Sequence, residues 1–141
     1  MAVIFCDGYD WYQGTYTGSV FTGLVMGTIW AGATGGTPSA AVGPSYARAP
    51  SGQGIQISQN NGTFYKAFGM NYVSGLFGAA LQIPSGNPAS GTLMSILDGT
   101  TEQISIRTNA SGVLTVTRNG TVLATGTTVL SAAVWYYIEL K

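Results

Sequence analysis

Through the last third of the chain, apolar and polar residues alternate with a period of two, and turn residues fall between the runs. In Thr101-Glu102-Gln103-Ile104-Ser105-Ile106-Arg107 the two isoleucines stand two apart. Successive side chains on a strand leave opposite faces, so Ile104 and Ile106 share one face. Asn109-Ala110-Ser111-Gly112 turns the chain, Val113-Leu114-Thr115-Val116-Thr117 follows, Asn119-Gly120 turns again, and Thr121-Val122-Leu123-Ala124-Thr125 returns. An Asn-Gly pair between two such runs predicts a two-residue hairpin, because a type I′ turn needs positive φ at both central positions. Val134-Trp135-Tyr136-Tyr137-Ile138-Glu139-Leu140-Lys141 is a strand by its aromatic and β-branched content. The pattern predicts antiparallel sheet with one buried face. Its inward positions are Ile104, Ile106, Leu114, Val116, Trp135 and Tyr137, with Tyr136 outward.

Upstream the same reading gives shorter pieces. Val3-Ile4-Phe5 is a first strand, and Val20-Phe21 and Leu24-Val25-Met26 are short extended segments. Gly54-Ile55-Gln56-Ile57-Ser58 alternates strictly, and Thr63-Phe64-Tyr65-Lys66-Ala67-Phe68 is a strand after the Asn60-Asn61-Gly62 turn. Residues 71–83 hold one or two strands interrupted at Gly75 and Gly78, and Leu93-Met94-Ser95-Ile96-Leu97 leads to a turn at Asp98-Gly99. Between residues 31 and 54, glycines 32, 35, 36, 43, 52 and 54 and prolines 38, 44 and 50 punctuate the chain. Proline removes ladder donors and glycine weakens strands, so this segment is expected as a long loop or arm, with a short extended piece at Tyr46-Ala47-Arg48. No helical period persists over ten residues. The chain is read as one all-β domain, an antiparallel β-sandwich spanning residues 1–141.

Composition changes the picture at the surface. Charged residues make up 7% of the chain, five acidic and five basic, against roughly a quarter in an ordinary soluble domain. Such a surface carries little repulsion to keep copies apart, which favours a protein packed against others. Arg48, Lys66, Arg107, Arg118 and Lys141 are scattered and form no basic stripe, so nucleic acid is not an expected partner. The opening Met1-Ala2-Val3-Ile4-Phe5-Cys6 lacks a basic start and meets Asp7 at once, so a secretory leader is not expected. The apolar stretches are broken by Gly or Ser within a few residues, and no membrane span is expected.

Chemistry is limited by what is absent. The chain has no His and a single Cys6, which removes the commonest general base, the commonest metal ligand and any internal disulfide. Asp7 and Asp98 each precede a glycine, where Asp serves turns by accepting backbone hydrogen bonds. With Asp10, Glu102 and Glu139 they are all the carboxylates there are. Asp98 and Glu102 fall short of the 6–8 oxygens that calcium takes. Neither metal nor cofactor is expected, and the chain is not expected to be an enzyme. A glycan hydrolase is the competing enzyme class and would need two positioned carboxylates. Asn61-Gly62-Thr63, Asn109-Ala110-Ser111 and Asn119-Gly120-Thr121 match the glycosylation pattern but read as turns. The amphipathic rings of Trp11, Tyr12 and Trp30 are the candidate carbohydrate contacts.

The arrangement Asp98-Gly99, Ile104-Ser105-Ile106, Gly112-Val113-Leu114-Thr115-Val116, Asn119-Gly120, Val122-Leu123 and Trp135-Tyr136-Tyr137-Ile138-Glu139 resembles the laminin-G-like, concanavalin A-like jelly-roll group. It looks in particular like phage-encoded virion proteins of that type, which often open on a short apolar strand running into an Asp-Gly-aromatic-Asp motif. Phe5-Cys6-Asp7-Gly8-Tyr9-Asp10 matches that motif. The resemblance implies a structural protein of the virion, decorating the head or forming part of the tail or its fibres. The runner-up expectation is a lectin-like receptor-recognition module that binds host glycans. Working in many copies, with a trimer favoured by the resemblance, the chain is expected to contact itself and other virion proteins. The arm, the sparse charge and the aromatic last strand make Val42, Tyr46 and Tyr136 the candidate oligomer contacts.

Overall fold

The computed structural model describes residues 16–17, 32–34, 40–43, 47–48, 54–57, 63–69, 74–83 and 90–140 of the chain. Its backbone separates into two compact units, Met1–Val73 and Ser74–Lys141. In the first unit, β1 (Tyr16–Thr17), β3 (Ala40–Gly43) and β4 (Gly54–Ile57) form a three-stranded sheet in the order β1-β3-β4. There Val42 lies opposite Tyr16 on one side and Ile55 on the other. β2 (Gly32–Thr34) pairs with β5 (Thr63–Tyr65).

The expected loop over residues 31–54 therefore needs correction, since β2 and β3 both fall inside it. Both strands avoid the prolines: β2 ends before Pro38, and β3 fits between Pro38 and Pro44. Gly32-Ala33-Thr34 and Ala40-Ala41-Val42-Gly43 keep every backbone donor, and a composition averaged over the segment hides runs of three and four residues. Ala47 and Arg48, expected as part of an extended piece, lie outside any strand. The expected strand at residues 3–5 and the pieces at 20–21 and 24–26 lie outside the described residues.

The second unit holds β6 (Phe77–Gln82), β7 (Gly91–Asp98), β8 (Thr101–Thr108), β9 (Val113–Arg118), β10 (Thr121–Val129) and β11 (Trp135–Leu140). The order β10-β9-β8-β7 is a four-stranded meander, and β11 pairs with β6 through all six residues of each. Every pairing is antiparallel, and no helix occurs among the described residues. The turns follow from local chemistry. Asn119 and Gly120 sit at φ 47° and 79°, the two positive values a type I′ turn requires between Arg118 and Thr121. Between Asp98 and Thr101 the loop residues are Gly99 and Thr100. Gly99 alone has positive φ, 58°, which makes this a type II′ turn. At the third turn the Asn109 side-chain oxygen accepts from the Ser111 and Val113 amides at 2.9 and 3.0 Å, the Asx chemistry that suits Asn to this position.

Met94, Ile106 and Val116 lie opposite one another across β7, β8 and β9. Against this apolar face β6 and β11 lay Leu81, Tyr136, Ile138 and Leu140, and Met94, Ile106 and Ile138 are buried at the centre. The result is a β-sandwich-like pair of antiparallel layers. Ile106 and Leu114 belong to this core, as their alternation predicts, and Ile104 and Val116 are half-buried.

The inward assignment of Trp135 and Tyr137 is overturned. Tyr136, Ile138 and Leu140 face the core, and Tyr137 is 64% exposed. The phase is set by Glu139, which shares a face with Trp135 and Tyr137; turning that face inward would bury a carboxylate, at large cost. Tyr136 is half-buried and meets the core with its ring, while its hydroxyl accepts the Ser131 amide at 2.8 Å. Tyr137 lies over Gly78 of β6, where an added Cβ would stand 2.8 Å from the Tyr137 hydroxyl. Gly78 thus sits within a strand, where an interruption was expected, and leaves room for the ring.

Candidate functional site

The opposite face of the four-stranded sheet is built from hydroxyls and charge. Ser95, Ser105 and Thr117 form one cross-strand row, and Thr92, Arg107 and Thr115 form the next. Ser105, Thr115 and Thr117 are buried, so their hydroxyls need partners. Period two alone would put Glu102 with Ile104 and Ile106 on the apolar face. A register shift intervenes: Ile96 is opposite Ile104, but the next residue, Leu97, is opposite Glu102. β8 therefore carries one extra residue at Gln103, and this bulge moves Glu102 to the polar side.

There Glu102 accepts from the Thr117 hydroxyl at 3.0 Å and from the Gly120 amide at 3.4 Å. Hydrogen bonding from Ser105 contributes most to holding the Glu102 carboxyl below its ordinary value of 4.5. Partial desolvation opposes it, while Thr117, Gly120 and the positive charge of Arg107 add to the lowering. The oxygens of Ser95 and Ser105 are 2.8 Å apart. The two serine hydroxyls are hydrogen-bonded to each other, and either can be the donor. On the neighbouring row the Arg107 Nε donates to the Thr92 hydroxyl at 2.9 Å, which fixes the guanidinium along β7.

Next to Arg107 lies an open depression of about 360 Å³ lined by Ser90, Arg107, Asn109, Thr115, Thr117 and Val122, among others. It offers one cation, several hydroxyls and an amide, a donor and acceptor set suited to a polar ligand. Among the described residues no aromatic side chain lines it. Trp11, Tyr12, Trp30 and Tyr46 lie outside the described residues, as do Asp7 and Asp10. Val42 lies in the middle strand of the three-stranded sheet, and Tyr136 faces inward rather than outward. Among the described residues no group of three or more acidic or Cys side chains is placed to hold a metal.

Set beside known proteins, the chain matches no family model, no curated protein and no solved structure. The polar face therefore rests on its own geometry. In these strands the alternation marks the apolar row of Ile104, Ile106, Leu114 and Val116. Its complement was present in the same strands, because Ser105 alternates with Ile104 and Ile106, and Thr115 and Thr117 with Leu114 and Val116. No sequence signal marked the bulge at Gln103 that brings Glu102 to this face.

Proposed function

We propose that the chain is a non-enzymatic structural protein of a bacteriophage virion, a jelly-roll module that works in many copies on the head, tail or fibre. The observation that carries the multi-copy part is the surface of the second unit. Ile96, Leu97, Val122, Leu123, Val129 and Tyr137 are all exposed, on a chain with ten charged residues in 141. Exposed apolar surface with so little charge around it suits a protein that spends its working life against neighbours. The virion assignment and the jelly-roll topology rest on the resemblance at residues 5–10 and 98–139. The non-enzymatic reading is supported by Glu102, the carboxylate with ordered partners on the polar face. Its pKa is lowered, away from the neutral range where a general acid or base is most effective.

A second reading is favoured by the depression at Arg107, whose polar lining suits a glycan; this is the lectin-like alternative. One experiment separates the two. Phage particles produced without this protein are mixed with the purified chain, and the chain is applied in parallel to a glycan array. The structural reading expects saturable uptake on the particles and no glycan signal. Glycan binding lost in Arg107→Ala, with no uptake on particles, would replace it with the lectin reading.

A further inference from the structure

β10 is the longest strand of the second unit and is exposed at all nine positions, Thr121 to Val129. It stands at the end of the order β10-β9-β8-β7, so one side pairs with β9 and the other has no strand partner among the described residues. An edge of this kind presents a row of unpaired N–H and C=O groups. Natural edges are blunted by short length, Lys, Pro, bulges or a cover. Thr121-Val122-Leu123-Ala124-Thr125-Gly126-Thr127-Thr128-Val129 contains no charged residue and no proline. Register shifts against β9 fall around Leu123 and between Thr125 and Val129. They bend the strand there, as bulges that blunt an edge do, while Thr121-Val122 and Ala124-Thr125 keep regular register with β9 on either side of the first shift.

We propose that this edge is the contact through which the protein binds a second copy of itself: β10 pairs antiparallel with the partner's β10 about a two-fold axis, joining two four-stranded sheets into one. The proposal rests on the multi-copy reading above and adds the surface that serves it. A second copy is the occupant that the charges favour. The strand holds no charge for an acidic or basic partner to match, and none to repel its own image. The chain as a whole is neutral, five against five, so two copies approach without net repulsion. Val, Leu and Thr side chains brought across the axis form the cross-strand pairs that stabilise sheets. The contact is isologous and closes at two, in place of the three-fold arrangement implied by the resemblance.

The test uses the full-length chain at rising concentration, with hydrogen exchange read by mass spectrometry and mass read by light scattering. Amides of residues 121–129 are expected to slow as mass doubles. Leu123→Lys puts an ammonium on the edge at a position 57% exposed and is expected to weaken dimerisation by about tenfold or more. Leu97→Lys, on β7 and 55% exposed, is expected to leave it unchanged. Thr127→Lys, also on β10, gives the same reading if Leu123→Lys does not fold. Association that ignores Leu123→Lys and Thr127→Lys, or that is equally sensitive to Leu97→Lys, removes β10 as the contact and leaves the multi-copy reading standing. A chain that stays monomeric at every concentration overturns the two-fold contact, and if it also fails to bind particles, the reading beneath it.

Discussion

Glu102 shows how far one side chain can depart from the pattern around it. It sits two residues from Ile104, yet the bulge at Gln103 turns it to the polar face, where hydroxyls and an amide hold it. Its carboxyl is held low first by the Ser105 hydrogen bond, which gives the stability of this unit a defined pH dependence. The folded pKa lies below the unfolded one, so the stabilisation is complete above about pH 4.5 and is lost as pH falls through the folded value. The urea midpoint is expected to hold steady from neutral pH toward 5 and then to drop on further acidification. Glu102→Gln is expected to flatten that acidic limb; superimposable profiles for the two proteins would show that the carboxylate is not held as described. The isoleucines and the turn residues were legible in the sequence, because each expresses a local rule. Glu102 was not, because its face depends on where β7 and β8 slip past one another.

At the scale of elements, the meander from β7 to β10 lies where alternation and turn chemistry place it. Asn119-Gly120 and Asn109 do what their side chains and φ values require. The last strand was found in the right place with its faces reversed. Trp135 and Tyr137 were expected inside, whereas the phase is settled by Glu139, which faces water, and by the aliphatic pair Ile138 and Leu140. That signal is present in the sequence. The error upstream had another cause. Residues 31–54 are rich in Gly and Pro as a whole, but Ala40–Gly43 is free of proline and pairs on both sides. The phase of β11 has a direct consequence. Ile138→Ala, in the buried cluster, is expected to cost about 3 kcal/mol, and Tyr137→Ala, largely exposed, about 1 kcal/mol or less. Urea unfolding of both variants checks this, and the reverse order would return Tyr137 to the core.

For the whole molecule, composition speaks more directly than any motif. Ten charges on 141 residues, exposed Leu and Val on β10 and an exposed Tyr137 describe a surface poorly suited to life as a dispersed monomer. Neutral polar residues share the exposed surface with these few charges, as the four threonines of β10 do. The proposed role in a multi-copy particle follows from that balance, with the resemblance naming the kind of particle. The most direct test of the central claim is sedimentation equilibrium of the full chain over a wide concentration range at neutral pH. A mass that climbs from 14.6 kDa to a defined multiple is the predicted result; a single species of 14.6 kDa up to the highest soluble concentration would contradict it.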